Sequence, residues 1–145
     1  MVILKVLMIE DSPSDALLIQ TNLKTALEPG FELTWVKRLD EALSLTRKQA
    51  FDVCLLDLSL PDSTGIETCL RMREAAPKLP IVVLTGRDEE AVGLEALRGG
   101  VQDYLSKSVD TQTIVRSIRY AIERKAVEEE LRLVNESCAS RGWPP

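Results

Sequence analysis

Histidine is absent from this chain of 145 residues. Because histidine is the commonest general base and metal ligand in proteins, chemistry that needs an imidazole of this chain is excluded. No phosphohistidine can form on the chain either. Any metal ion that it binds must be held by oxygen ligands, which favours Mg²⁺ or Mn²⁺.

Cysteine and long apolar runs are also scarce. Three cysteines are too few and too scattered for a disulfide framework or a zinc site, which indicates a reducing compartment such as the cytosol. No apolar run approaches the ~20 residues that span a membrane. The apolar start, Met1–Ile9, runs directly into two acidic residues and lacks the basic leader of a signal peptide. We therefore expect a cytoplasmic protein that does not contact a membrane.

An excess of basic charge is missing as well. The chain has 18 Lys and Arg against 23 Asp and Glu, with a formal net charge of −5. Because nucleic-acid-binding proteins usually present a basic face or stripe, no direct DNA or RNA partner is expected. The apolar fraction of 45% and the charged fraction of 28% are typical of one globular domain.

Short apolar runs alternate with amphipathic segments along the chain. The predicted strands are Val2–Ile9, Phe31–Val36, Val53–Leu56, Pro80–Leu84 and Gln102–Leu105. The predicted helices begin near Ser12, Asp40, Gly65, Asp88 and Asp110. Buried strands that alternate with helices predict an α/β fold with a five-stranded parallel sheet and helices on both faces. We expect a doubly wound sheet with the flavodoxin-like strand order 2-1-3-4-5.

The first helix has a clear start signal. Ser12 is the predicted N-cap, Pro13 the first helical residue, and Asp15 the third-position acid of a capping box. The pair Pro29-Gly30 is expected to end this helix.

The chain beyond the predicted sheet is helix-forming and highly charged. We expect a domain over residues 1–125 and, over residues 126–145, a helical extension or linker with a disordered tail. Val127, Leu131, Val134 and Cys138 keep a 4-3-4 spacing. This spacing fits a short coiled-coil seam and a homodimer, and it also fits a solvated helix end. The sequence leaves both interpretations open.

Polar residues stand at the carboxyl ends of four predicted strands. These residues are Glu10, Asp11, Asp57, Thr85 and Lys107. In open parallel sheets, ligands bind beyond the carboxyl ends of the strands, near the point where the strand order reverses. Three carboxylates placed together repel one another, and a hard divalent cation is the natural way to neutralise them.

Such a site suits phosphoryl transfer. Asp57 can act as the nucleophile, Lys107 can stabilise phosphoryl oxygens, and Thr85 can donate its hydroxyl to them. Taken singly, these residues also fit a turn acid, a surface lysine and a strand-end threonine. Four strand ends that each carry a complementary group favour the joint interpretation, since phosphoryl transfer requires mainly positioning and charge stabilisation.

Four sequence motifs carry a resemblance to a known family. They are LMIEDS at 7–12, DLSLPDSTG at 57–65, LTG at 84–86 and DYLSK at 103–107. Together they resemble the response-regulator receiver domains of the CheY-like family, over about residues 3–124.

This resemblance implies roles for individual residues. Asp57 would accept a phosphoryl group from a phosphohistidine on a histidine kinase or histidine phosphotransfer protein. Thr85 and Tyr104 would be switch residues, although Tyr104 also fits a half-buried strand aromatic. The output surface would comprise the fourth helix, the fifth strand and the fifth helix. The implied ligands of Mg²⁺ are Glu10, Asp11, Asp57 and the backbone carbonyl of Ser59.

The chain departs from the family pattern at two places. Ser108 follows the motif lysine, where the family usually has a proline, often across a cis peptide bond. A cis bond before a residue other than proline costs ~2.5–4 kcal/mol. The pair Gly99-Gly100 replaces the more usual Gly-Ala and is expected to loosen the start of the fifth strand.

Other functions compete with the receiver interpretation. A phosphatase of the haloacid-dehalogenase type needs a second aspartate two residues after the first, and this chain has Ser59 there. A flavin protein of the same fold would need a hydroxyl- or glycine-rich loop after the first strand, where this chain is acidic. A receiver that only binds partners stays open. The charged helix resembles connectors to further modules, so a fused output module is favoured over a separate downstream protein.

Overall fold

The computed structural model describes residues 3–25, 30–86 and 90–140, with the side chains of all of these except 90 and 135–140. Strands and helices alternate along the chain. The strands are β1 (Ile3–Ile9), β2 (Gly30–Val36), β3 (Val53–Asp57), β4 (Ile81–Thr85) and β5 (Asp103–Ser106). The helices are α1 (Pro13–Lys24), α2 (Leu39–Lys48), α3 (Ile66–Ala75), α4 (Glu90–Arg98) and α5 (Thr111–Ser140).

The five strands form one parallel sheet in the order β2-β1-β3-β4-β5, which confirms the predicted topology. Ile9 pairs with Leu56 across β1 and β3, and Asp57 pairs with Leu84 across β3 and β4. Since all strands run the same way, their carboxyl ends meet at one edge of the sheet.

Each face of the sheet carries its own apolar core. Leu7, Leu56 and Met72 belong to the cluster on one face, whereas Met8 and Ile118 belong to the cluster on the other. Consecutive residues of β1 thus point to opposite cores, and both positions are buried. This two-sided burial is why the strands read as continuous apolar runs and not as alternating ones.

Some predicted boundaries differ from those of the structure. The predicted third and fourth strands stopped before Asp57 and Thr85, but both residues pair with the neighbouring strand and close β3 and β4. The fifth strand lies one residue later than predicted. Helix α1 ends at Lys24, capped by Thr25, so the first helix is shorter than predicted. The predicted stop at Pro29 and the predicted start at Asp88 fall outside the described residues.

The glycine pair before β5 has a specific steric role. Gly100 has a φ of 107°, in the left-handed region that side chains rarely adopt. A Cβ built on Gly100 would lie 2.6 Å from the guanidinium carbon of Arg73. Arg73 also donates a hydrogen bond to the Gly99 carbonyl. Gly99-Gly100 therefore permits a close contact between α3 and the turn that leads into β5.

Helix α5 is continuous over 30 residues and extends well past the sheet. Its inner face packs on the core through Ile114, Ile118 and Ala121. Residues 124–140 are called the outer part of α5 below. In this part, Val127, Leu131 and Val134 are 53%, 59% and 57% exposed. Within the described residues, no helix combines the length and apolar character needed to cross a membrane.

The first turn of this outer part of α5 is attached to the sheet by one buried glutamine. Gln102 accepts a hydrogen bond from the Ile81 amide at 3.2 Å through Oε1. Through Nε2 it donates to Glu128 Oε2 at 3.1 Å. Arg124 reaches the Gln102 carbonyl at 3.5 Å. The helix is thus fixed to the start of β5 as far as Glu128.

Candidate functional site

Three carboxylates converge at the carboxyl edge of the sheet. One oxygen each from Glu10, Asp11 and Asp57 lies within 4.8 Å of the others. Glu10 and Asp57 are buried, whereas Asp11 is exposed. Together with Lys107 these residues are called the acidic edge below.

Lys107 brings the only amine of this cluster. Its Nζ lies 2.8 Å from Glu10 Oε2, 3.1 Å from Asp15 Oδ2 and 3.4 Å from Asp57 Oδ2. Its backbone amide donates to the Thr85 carbonyl at 3.0 Å, which places the residue at the same edge as the carboxylates. One ammonium therefore serves several carboxylates.

The electrostatics of the acidic edge suit a further cation. Burial, followed by the charge of Glu10, raises the pKa of Asp57 to about 7, although Lys107 opposes this shift. Burial alone would lower the pKa of Lys107, but its contacts with Glu10 and Asp57 raise that pKa above its usual value. Glu10 Oε2 is buried and has no hydrogen-bond partner among the described residues, only the Lys107 ion pair. An oxygen-only donor set with surplus negative charge fits Mg²⁺ or Mn²⁺.

The tryptophan of β2 supports the loop that carries the acidic pair. The Trp35 indole N–H donates to the backbone carbonyl of Glu10 at 2.7 Å. The Glu10 amide in turn donates to the Val36 carbonyl at 3.0 Å. The backbone that presents Glu10 is thus hydrogen-bonded on both sides to β2.

The loop after Asp57 folds back on itself. The Ser59 amide donates to Asp57 Oδ1 at 3.2 Å. Ser59 forms an isolated antiparallel bridge with Thr64, and the Leu60 amide donates to the Ser63 carbonyl. The loop therefore holds one Asp57 oxygen while Lys107 faces the other.

The same loop caps a distant helix. Asp62 accepts hydrogen bonds from the amides of Leu39 and Asp40, each at 2.9 Å. The N-cap residue of α2, Arg38, makes no capping hydrogen bond with its own side chain. Burial alone would raise the pKa of Asp62, but these amide hydrogen bonds lower it below the usual value. The sequence indicated only a turn at Pro61-Asp62, and no local signal predicts a cap supplied from 23 residues away.

The predicted switch residues lie against α4. The Thr85 hydroxyl donates to the Leu105 carbonyl at 3.1 Å, so it is engaged with the β5 backbone. Tyr104 is half-buried. A Cβ built on Gly93 would lie 2.8 Å from both Thr85 Cγ2 and the Tyr104 ring. A helix-interior glycine is unfavourable, and its use here allows α4 to approach both residues closely.

The structure corrects the predicted role of Asp15. Ser12 is the N-cap, since its hydroxyl accepts from the Asp15 amide at 3.4 Å. However, the Ser12 amide donates to Glu10 Oε1 at 3.1 Å, so Asp15 does not complete the capping box. The Asp15 carboxylate instead contacts Lys107. The sequence contained a usable signal, because the first turn after β1 must lie at the same edge as Lys107.

The loop after Lys107 is organised by serines. The Ser108 amide donates to Ser106 Oγ at 3.3 Å, and the two hydroxyls lie 2.9 Å apart. The residue that replaces the usual proline thus takes part in local hydrogen bonds.

Comparison with known proteins agrees with this geometry. A family model described as the response regulator receiver domain matches residues 6–119. The chain is 32% identical over 126 residues to the phosphate regulon transcriptional regulatory protein PhoB of Rhizobium meliloti, covering 86% of this chain and 54% of PhoB. It is 31% identical over 121 residues to the cell cycle transcriptional regulator CtrA of Caulobacter vibrioides, covering 83% of this chain and 51% of CtrA. The chain thus spans about half the length of these relatives.

Solved structures show the same fold. A putative response regulator from Chloroflexus aurantiacus superposes with a TM-score of 0.74 at 25% identity, covering 83% of this chain and 98% of that one. Full-length FixJ from B. japonicum gives a TM-score of 0.77 at 23% identity, covering 95% of this chain and 66% of FixJ. The chain therefore belongs to the response regulator receiver domain family.

Proposed function

We propose that Asp57 accepts a phosphoryl group and that the chain acts as a phosphorylation-controlled switch. An Asp57 oxygen attacks phosphorus, the bond from phosphorus to the donor histidine nitrogen breaks, and that nitrogen recovers the electron pair and takes a proton. The observation that carries the proposal is the meeting of three carboxylates and Lys107 around Asp57 at the carboxyl edge of the sheet. Aspartate is a known phosphoryl acceptor in this kind of chemistry.

The proposed metal ligands are Glu10, Asp11, Asp57 and the backbone carbonyl of Ser59. When bound, Mg²⁺ or Mn²⁺ would neutralise charge on the carboxylates and on the phosphoryl oxygens. Lys107 then supplies a second positive charge from the β5 side of the site.

Thr85 and Tyr104 are the proposed switch residues. In the structure the Thr85 hydroxyl donates a hydrogen bond to the Leu105 carbonyl. Its donation to a phosphoryl group requires that bond to break. Because Thr85 and Tyr104 both pack against Gly93, such a movement would change the packing of α4. The surface of α4, β5 and α5 is the proposed output surface.

The proposed donors are histidine kinases or histidine phosphotransfer proteins, as membership of the receiver family suggests. We propose residues 1–125 as the receiver and 126–145 as an extension that leads to a fused output module or forms a homodimer. A reducing compartment, the cytoplasm, suits the two buried free thiols of Cys54 and Cys69.

Intact mass spectrometry tests the phosphoryl assignment. The protein is incubated with Mg²⁺ and acetyl phosphate, and we expect a mass gain of about 80 Da, the mass of one phosphoryl group. Asp57→Asn should abolish the gain, and chelation of Mg²⁺ should suppress it. Asp52→Asn is the matched control, because the Asp52 carboxylate lies at the opposite end of β3 from Asp57, where it accepts a hydrogen bond from the Lys5 amide.

A missing adduct, or one that persists in Asp57→Asn, would overturn the proposal and leave a receiver that only binds partners. The switch can fail separately. If beryllofluoride, a phosphoryl mimic, perturbs the amide resonance of Asp57 but not those of Thr85 and Tyr104, the site is not coupled to the output surface. Sedimentation with and without residues 126–145 tests the homodimer.

A further inference from the structure

Asp15 is the one partner of Lys107 that the proposed function leaves unused. The three carboxylates around Nζ belong to Glu10, which directly follows β1, to Asp15 in α1 and to Asp57 in β3. Glu10 and Asp57 are buried, but the Asp15 side chain is 39% exposed at the mouth of the site. Glu10 and Asp57 have proposed roles as metal ligand and phosphoryl acceptor, whereas Asp15 has none.

The local structure of α1 directs Asp15 toward Lys107. In a capping box, the third helical residue would bond back to the N-cap amide. Here Glu10 Oε1 already accepts from the Ser12 amide, so that site is taken. The Asp15 carboxylate therefore does not cap the helix and instead accepts a hydrogen bond from Lys107 Nζ at 3.1 Å. The distance from the same nitrogen to Asp57 Oδ2 is longer, 3.4 Å.

The ammonium has a limited number of donors. Lysine carries three N–H groups, and three carboxylates face them. A phosphoryl group on Asp57 would add several strong acceptors beside the same nitrogen. The metal and the phosphoryl group would bind Glu10 and Asp57, whereas the contact that the structure shows for the Asp15 carboxylate is the one with Lys107, so Asp15 would continue to compete for this ammonium.

We propose that Asp15 is a positioning residue that restrains Lys107 and thereby slows phosphoryl transfer at Asp57. This inference rests on the proposed function of Asp57. The ion pair with Asp15 weakens the interaction by which the Lys107 ammonium would stabilise the transition state. Its removal frees Lys107 for the phosphoryl oxygens, and both the gain and the loss of the phosphoryl group become faster.

The test is a double-mutant cycle on the rate of adduct formation with acetyl phosphate and Mg²⁺. Asp15→Asn keeps the shape of the side chain and removes its charge. We expect its rate to rise by about three- to fivefold, the factor that one partly exposed ion pair supplies. In a Lys107→Gln background the same substitution should leave the rate unchanged, because the residue through which Asp15 acts is gone.

Glu67→Gln is the matched control. It removes one exposed acid from the first turn of α3 and changes the net charge equally. Its rate should equal that of the wild-type chain. Acceleration by Asp15→Asn in both lysine backgrounds would mean that Asp15 merely repels the anionic donor, and the inference would be overturned. If Asp15→Asn leaves the rate unchanged or lowers it in the chain that retains Lys107, the inference is overturned as well.

A second measurement keeps the inference testable if Asp57 takes up no phosphoryl group at all. Urea unfolding midpoints of the same four proteins report whether Asp15 and Lys107 interact. Non-additive shifts would support the restraint on Lys107 even though the proposed function had failed. Strictly additive shifts would show that Asp15 does not restrain Lys107, whether or not Asp57 is phosphorylated.

Discussion

At the acidic edge, Lys107 contacts three carboxylates from three separate parts of the fold, and two of them are buried. Along the outer part of α5, charged residues instead pair with neighbours one turn away, as in Arg124–Glu128 and Arg132–Glu129. Charges of the first kind are fixed by the tertiary fold and interact through a low dielectric. Charges of the second kind are solvated, and each such pair contributes only a few tenths of a kcal/mol.

The two regions therefore differ in how far the effect of a substitution extends. A change of charge at the acidic edge affects several parts of the fold, because the ammonium of Lys107, just after β5, contacts carboxylates at the end of β1, in α1 and in β3. A change on the outer part of α5 stays on that helix, except through Gln102. This contrast predicts where substitutions are costly and where they are tolerated.

The largest expected effect compares two apolar residues of the same helix. Ile118→Ala removes a fully buried side chain and should lower the free energy of unfolding by about 2–5 kcal/mol. Leu131→Ala removes a side chain that is mostly exposed and should change it by less than about 0.5 kcal/mol. Urea denaturation of both variants measures the difference. A comparable loss in Leu131→Ala would show that the outer part of α5 is covered in solution.

An intermediate effect is expected at the link between the regions. Gln102→Ala leaves the buried Ile81 amide without its side-chain acceptor and releases Glu128 from the sheet. We expect a loss of about 1–3 kcal/mol, the cost of an unsatisfied buried group. Amide hydrogen exchange should also become faster from Arg124 onward.

Glu128→Gln is the control for this link, since an amide oxygen can still accept from Gln102. It should cost only a few tenths of a kcal/mol, as expected for an exposed group. If both variants leave exchange along α5 unchanged, the helix is held by its own hydrogen bonds and the two regions are independent.

The smallest expected effect concerns the Asp62 cap and its pH dependence. Asp62→Ala should lower the free energy of unfolding at pH 7 by about 0.5–2 kcal/mol, the usual value of a lost cap. Because the folded state lowers the pKa of Asp62, its carboxylate stabilises the fold at pH values above the ordinary 3.8. That contribution is lost as the pH falls through the lower folded-state pKa.

Unfolding curves of Asp62→Ala and wild type from pH 7 down to pH 3 measure this window. The gap between the two proteins should be widest above the ordinary pKa and should shrink toward the acid end. Asp40→Asn is the control. Within the described residues, the exposed side chain of Asp40 pairs only with Arg38. A gap that is independent of pH would exclude the carboxylate as the cause.

The sheet and the convergence at its edge could be predicted from sequence for a simple reason. Buried strands alternating with helices allow few topologies, and a parallel sheet brings the residues after each strand to one edge. The positions of Glu10, Asp57 and Lys107 follow from that rule alone. Strand ends were misplaced by one residue because a polar side chain such as Asp57 can close a strand as readily as begin a loop.

What the sequence did not reveal are pairings between residues far apart in the chain. Asp15 carries a strong local signal for helix capping, which masked its contact with Lys107, 92 residues away, although both residues belong to the same edge of the sheet. Asp62 similarly looks like an ordinary turn residue. The buried Gln102 lies where a strand was predicted to begin, and its contacts with Glu128 and Arg124 show that it holds α5.

The hydrogen bond between Trp35 and the Glu10 carbonyl has an optical consequence. The half-exposed indole lies against the backbone of the acidic edge, with Lys37 Nζ 5.4 Å from the ring centroid. Its fluorescence should respond when a cation or phosphoryl group displaces charge or backbone at Glu10. The other tryptophan, Trp143, lies outside the described residues and can be replaced by phenylalanine. The remaining single indole would then be a built-in reporter, through which the filling of the site can be followed in real time without an attached dye.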